Sequence, residues 1–210
     1  MDDAAVYASR IELCDFLIEV FWDVPSVEFV ESLLSDDVQI PSESVSDPLD
    51  EGFSLLEEFI DVNGDRAVET LRNDLITEYT RVFVGPRPPV LAHETYYRDD
   101  TEFIGEGLAD VEASYSATGW TPPEEYGEEN DFIAVELAFL RHLISRQQRG
   151  AEEMFGYERV FVDEHLAHWI DPFTADLREK TDSRLYRATA MLTEGFVAFE
   201  DELVAQMISN

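Results

Sequence analysis

The chain has 210 residues, 45% of them hydrophobic, which is enough for one core. It carries 47 acidic against 14 basic residues, a formal net charge of −33, and Lys180 is its only lysine. The single cysteine excludes an internal disulfide and any cysteine-only metal cluster. The absence of a basic patch argues against a nucleic-acid partner, and no apolar run approaches the roughly 20 residues that span a bilayer.

So acidic a chain with a full apolar complement fits a folded protein at multimolar salt, where the Debye length falls to about 3 Å and self-repulsion is screened. The expected setting is the cytoplasm of an organism that accumulates salt; the acidic start Met1-Asp2-Asp3 has no basic region of a signal peptide. Most of the carboxylates are then a solvated surface, and acidity alone carries no functional argument.

Residues 3 to about 22 fit a helix. Tyr7, Ile11, Cys14, Ile18 and Phe21 recur at three- and four-residue spacing, and Val6, Leu13, Leu17 and Val20 widen the stripe. Cys14, one turn from Ile11 and from Ile18, reads as an inert core thiol. Asp23-Val24-Pro25 stops this helix, and Ser26 is placed to cap a shorter one to about Leu34. Residues from about 35 to 50 read as a linker of Ser, Asp, Glu and two prolines. A short helix over 50–62 uses Leu55, Leu56, Phe59 and Ile60 and ends at Asn63-Gly64. The next runs from about Asp65 to Phe83, with Val68, Leu71, Leu75, Tyr79 and Val82 on its buried face.

Gly85-Pro86-Arg87-Pro88-Pro89 forbids helix, because proline lacks the amide hydrogen and pushes its predecessor into extended geometry. Helix returns over about 100–117. A second long loop, Gly119 to Glu129, contains Pro122-Pro123. A helix from Asn130 or Asp131 to about Arg149 follows, then one over about 151–170 that breaks at Asp171-Pro172. The last runs from about Asp182 to Ile208 on the stripe Leu185, Ala188, Leu192, Phe196, Phe199, Leu203 and Met207. With no strand pattern, repeat or phosphate loop, the expected fold is a single-domain all-α bundle with two long proline-containing loops. Loops of that length in a compact domain tend to be functional or disordered.

Four candidate sites arise. His165 and His168, with Asp163 and Glu164 beside them, have a spacing that suits two imidazoles on one metal, but His165 also lies one turn from Phe161 and Trp169, as a core histidine would. His93-Glu94 suits general acid–base work, ligand binding or ordering of the loop, and no nucleophile accompanies it. Glu136 falls in line with Phe132, Phe139, Leu140 and Leu143, so it needs a partner: Arg81, or an arginine of a ligand. Tyr79, Val82 and Phe83 end a helix beside the stiff loop, either as core or as the wall of an apolar peptide groove.

Tyr79-Thr80-Arg81-Val82-Phe83-Val84-Gly85-Pro86, then Pro88-Pro89-Val90 and Glu94-Thr95-Tyr96-Tyr97, resembles the Leu-Phe-x-Gly-Pro and Glu-Ser-x-Tyr region of the TorD/DmsD-like chaperones. The run Asn130-Asp131-Phe132 through Glu136-Leu137 to Leu140 is similar to that family's Pro-Asp-His-x-x-x-Glu-Leu signature. Phe161 through His165-Leu166 to Trp169 is similar to its downstream segment. The resemblance covers about Leu71 to Phe173, and no one motif in it is as specific as a zinc signature. It implies an all-helical, cytoplasmic, non-enzymatic protein that binds the twin-arginine signal peptide, and often the body, of a molybdopterin oxidoreductase until its cofactor is inserted. The nitrate-reductase assembly (NarJ-type) chaperones are a sister branch.

By position, the resemblance puts Tyr79, Val82 and Phe83 on the groove wall and Asp131 and Glu136 on the polar side of the peptide site. Gly85, Pro86, Glu94 and Tyr97 shape the loop, with Arg81 and Phe132 among the contacts. This chain departs from the pattern at Phe132, where the family has histidine, and at Val82, where it has leucine. No catalytic residue, metal or cofactor is expected, and the expected partner is the reductase catalytic subunit. Two other readings stay open: a helical metal-dependent enzyme using His165, His168, Glu164 and His93, and a subunit that remains in the mature complex.

Overall fold

The computed structural model describes residues 3–35, 40–41, 44–98, 104–123 and 127–208. Parts of three expected segments lie outside them: 36–39 and 42–43 of the linker, 99–103 ahead of the fifth helix, and 124–126 of the second loop. The helices are α1 (Asp3–Trp22), α2 (Val27–Leu34), α3 (Asp47–Asn63), α4 (Val68–Phe83), α5 (Ile104–Thr118), α6 (Ile133–Gln148), α7 (Met154–Phe161), α8 (Ala167–Lys180) and α9 (Arg184–Ile208). A 3-10 turn, Glu94–Tyr96, precedes α5, and a π-turn, Val162–Leu166, joins α7 to α8. The fold is all-α, with no strand among the described residues.

The chain divides into two compact units, residues 1–18, 92–171 and 197–210 in the first and 19–91 with 172–196 in the second. In the second unit, Ser26 caps α2 as expected, its hydroxyl accepting from the Phe29 amide at 3.0 Å. Leu71, Leu75, Tyr79 and Val82 are the buried face of α4, which starts three residues later than expected. α3 and α9 approach closely because glycines face leucines: a Cβ on Gly52 would stand 2.8 Å from Leu192, and one on Gly195 2.9 Å from the Leu49 amide.

The first unit is built on α5, α6 and α7. Tyr115, Phe139 and Phe161 meet ring to ring at 4.8–6.2 Å, with Trp120 against Tyr115 and Phe139. Beside this apolar core lies a buried ionic one. Arg10 of α1 donates to Glu200 of α9 through Nε at 2.9 Å and Nη2 at 2.5 Å, and to Glu158 of α7 at 2.6 Å. Gln147 of α6 accepts from Arg10 and donates to Glu158. Burial works against the Arg10 charge, but the two carboxylates outweigh it and hold the guanidinium above its ordinary range. Burial, then the neighbouring Glu200 carboxylate, pushes Glu158 well up against the pull of Arg10 and Gln147. Cys14 is fully buried and burial raises its thiol far above the ordinary value, so it is an inert core group.

Two expectations need correction. The break at Asp171-Pro172 does not occur, because α8 runs through Pro172 to Lys180. An interior proline costs about 3 kcal/mol, and the fully buried Phe173 and Leu177 just beyond it offset that at about 1.5–3 kcal/mol each. The proline marks instead where the chain passes from the first unit to the second. The end of the α9 stripe also differs: Phe199 and Leu203 are half-buried and Met207 is exposed, while Val197, Glu200 and Val204 are buried. The pairing of Glu200 with Arg10 turns the last three turns of α9 onto that face.

Candidate functional site

In the first unit, the segment 92–98 is fastened to the start of α6. The Glu94 amide donates to the Asp131 carbonyl at 3.0 Å, and the Ile133 amide to the Ala92 carbonyl at 2.9 Å, which makes His93 and Phe132 an antiparallel bridge. Ile133 opens α6, so its N–H has no partner within the helix, and Ala92 supplies one. The Asp131 side chain completes the fastening. Oδ1 accepts from His93 Nδ1 at 3.0 Å, and Oδ2 from the Thr95 amide at 3.2 Å and hydroxyl at 2.6 Å. Burial raises the Asp131 carboxyl, but the bonds from His93 and Thr95 outweigh it and hold the group below the ordinary aspartate range. Phe132, also buried, packs its ring 5.2 Å from the His93 imidazole.

The 3-10 turn drives Glu94 inward, where it is fully buried. Its carboxylate accepts from Arg98 Nη1 at 2.8 Å and faces His165 Nδ1 at 3.1 Å from both oxygens. His165 Nε2 lies 3.0 Å from the Ser114 hydroxyl of α5. The π-turn swings His165 and Leu166 inward and leaves Asp163 and Glu164 exposed. Trp169 Nε1 donates to Glu136 Oε2 at 3.1 Å, and its ring stacks on Tyr97 at 5.9 Å.

Glu136 is fully buried, and its Oε1 meets no hydrogen-bond donor. Burial first, then the Glu94 charge, raises its carboxyl well above the ordinary value. The donor this carboxyl meets is Trp169, and Arg81, the expected internal partner, pairs with Glu78 instead. Folding raises this carboxyl, so native Glu136 weakens the fold as pH rises above the unfolded glutamate value. Glu136→Gln removes that titration and is expected to gain in stability over the native protein from about pH 4 to about pH 8; melting temperatures of both proteins across that range check it.

A groove of about 570 Å³ opens beside this network, lined by Arg98, Asp110, Ser114, Glu164, His165 and His168, with Ala113 and Ala117. Ser114, His165 and Glu94 have the spacing of nucleophile, base and orienting acid. Ser114 lies inside α5, however, where backbone amides bond within the helix and leave no N–H pair for an oxyanion. Among the described residues, no group of three or more His, Cys, Asp or Glu is placed to hold a metal ion. His165 is in the core, and His168 is exposed.

The remaining expected site residues belong to the second unit. Tyr79 is buried, donates its hydroxyl to the Phe21 carbonyl at 2.9 Å and lies 5.1 Å from the ring of Phe83. Val82 is fully buried, and Phe83, half-buried, packs edge-on against Phe21 and Tyr186. Arg81 is exposed and pairs with Glu78 through Nε at 2.8 Å and Nη2 at 2.7 Å, and with the Lys180 carbonyl at 2.8 Å. Burial raises Glu78, but Arg81, Thr181 and the Asp182 amide outweigh it and lower its carboxyl to about 2. Gly85, at φ 124°, and Pro86 are exposed in the turn that follows. The sequence reading named Glu94, Tyr97, Asp131, Phe132 and Glu136 of the first unit but left out Thr95, Arg98 and Ser114, which complete their bonds. Arg98, four residues from Glu94, was the available signal.

Comparison with known proteins adds the following. The family described as nitrate reductase delta subunit matches residues 42–175. A protein named chaperone protein TorD from Photobacterium profundum is 23% identical over 142 residues, 64% of this chain and 66% of the relative. Another of the same name, from Shewanella pealeana, is 24% identical over 157 residues, 70% of this chain and again 66% of the relative. The matched stretch thus spans just under two-thirds of either relative's length.

Proposed function

We propose, since this chain belongs to the nitrate reductase delta subunit family and with it to the TorD/NarJ-type maturation chaperones, that it binds a molybdopterin oxidoreductase through the twin-arginine signal peptide, the enzyme body or both. It holds that client for cofactor insertion before export, in the cytoplasm. The family is one of chaperones, not of catalysts. The observation that carries the reading is that the match over 42–175 takes in both motif segments, and that the acids in them, Glu94, Asp131 and Glu136, are buried rather than part of the general acidic surface.

In the first unit Asp131 and Glu136 supply the polar side of the peptide site and Phe132 an apolar contact, while Glu94 and Tyr97 shape the loop. In the second, Phe83 presents the apolar contact, with Tyr79 and Val82 fixing it from within and Arg81, Gly85 and Pro86 shaping the turn. The net charge of −33 supports work at high internal salt, where exposed carboxylates are screened and only partly desolvated ones discriminate.

The test is calorimetric titration, at multimolar potassium chloride, of synthetic twin-arginine signal peptides beside their twin-lysine variants. Lysine keeps the charge and loses the planar fork, so tighter binding of the arginine peptide is expected. The description of the matched family favours a second reading, an assembly factor for a nitrate-reductase-type enzyme body. Binding of the folded reductase subunit with none of the peptides would select it.

A further inference from the structure

We infer that His142, Arg146 and Arg149 form a docking row on the first unit for an acidic helix of a partner protein, one that carries two carboxylates a turn apart. The row does not rest on the peptide-binding reading above, whose ligand is cationic. Residues 142, 146 and 149 recur at four- and three-residue spacing, so they share one face of α6 and its cap over about 10 Å of axis. No acid occurs from 137 to 151, in a chain that has 47 of them. Other arginines nearby take carboxylates: Arg141 of the same helix pairs with Asp15, and Arg159 of α7 with Asp163 and Asp201. Arg146 is half-buried and Arg149 exposed, and among the described residues no carboxylate pairs with either.

The row is more than a favourable helix end. The negative end of α6 attracts a cation in its last turn, which accounts for Arg146 or Arg149 singly. It does not account for His142, a further turn back, whose Nε2 is buried and meets no hydrogen-bond partner. Burial first, then Arg146, then Arg149, lowers that imidazole below its ordinary range; both guanidinia act at one spot, and no described carboxylate offsets them. The Trp120 ring, half-buried, lies 6.4 Å from His142 and gives that end of the row an apolar surface. A phosphate calls for donors that converge on a point. Cations strung along a helix face, with neighbours about 5–6 Å apart at Cβ, fit carboxylates strung likewise. Each guanidinium can hold one through two parallel N–H bonds. The apolar end fits an uncharged side chain a further turn along the partner.

The test titrates the native protein with an alanine-based helical peptide carrying two glutamates one turn apart, beside the same peptide with glutamines, and follows the ring resonances of His142 and Trp120. At about 0.1 M salt the native protein is expected to favour the glutamate peptide about five- to tenfold, with the shifts largest at those two rings. Arg146→Gln combined with Arg149→Gln is expected to bring the ratio near one, and Arg184→Gln, in the second unit, to leave it unchanged. The ratio isolates recognition, because a loosened fold weakens both peptides alike, and neither arginine of the row is buried. Equal affinity of the native protein for the two peptides overturns the row, as does an equal loss in Arg184→Gln. Inorganic phosphate that binds more tightly than the glutamate peptide and shifts the same rings assigns the row to a phosphate group. Self-association of the native protein that the double variant abolishes assigns it to a second copy of this chain. Either result overturns the partner helix.

Discussion

Replacing Arg10 with leucine is expected to destabilise the protein by about 3–5 kcal/mol, the cost of removing one partner from a buried ion pair. In a chain of this length that lowers the melting temperature by roughly 6–20 °C. Arg10 donates to both oxygens of Glu200 and, with Gln147, to Glu158, and its side chain is 3% exposed against 0% for both acids. Without it, Glu158 and Glu200 face each other in the core with no guanidinium between them. The energy is in the broken pair rather than in the pair itself. Changing Arg10, Glu158 and Glu200 together to methionine and leucines is therefore expected to recover most of the loss or to exceed the native stability. Thermal melts of the single and triple variants at one salt concentration decide it. A single variant as stable as the native protein would mean that water enters and solvates the acids.

That cluster also marks where the sequence stops being legible. The helices follow from periodicity and punctuation: Ser26 caps α2, the α4 stripe is buried as spaced, and Gly85-Pro86 ends that helix. Apolar periodicity has no term for a charge buried by partners far along the chain. Arg10 is one turn before Cys14, and Glu200 one turn after Phe196, both in phase with apolar stripes. Glu136 stood out because it was read for that phase. Its donor is Trp169, two helices further along the chain, and Arg81 is taken by Glu78, which local spacing at Glu136 does not reveal. Pro172 misled for a related reason, since a local rule about proline carries no information about Phe173 and Leu177 beyond it. At the site, Asp131 and Glu94 were legible as motif acids. The role of Asp131 was not, because Thr95 and His93 reach it only once the loop has folded back on α6.

Asp131→Ala is expected to cost about 2–4 kcal/mol, because three donors lose a charged acceptor at once and two of them, the Thr95 amide and hydroxyl, are buried. The pH dependence separates this from simple loss of packing. The folded-state carboxyl lies below its unfolded value near 3.9, so its contribution is fully present above that value and is lost as pH falls through the folded one. The gap in melting temperature between native and variant protein should be constant from pH 7 to about 5 and close as pH falls below the unfolded value and through the folded one. The loss should also be local. Amide hydrogen exchange at Glu94, Thr95 and Ile133 should quicken by more than that of α9 if the segment 92–98 opens without the rest of its unit. If exchange at these amides is unchanged, Asp131 does not hold the loop.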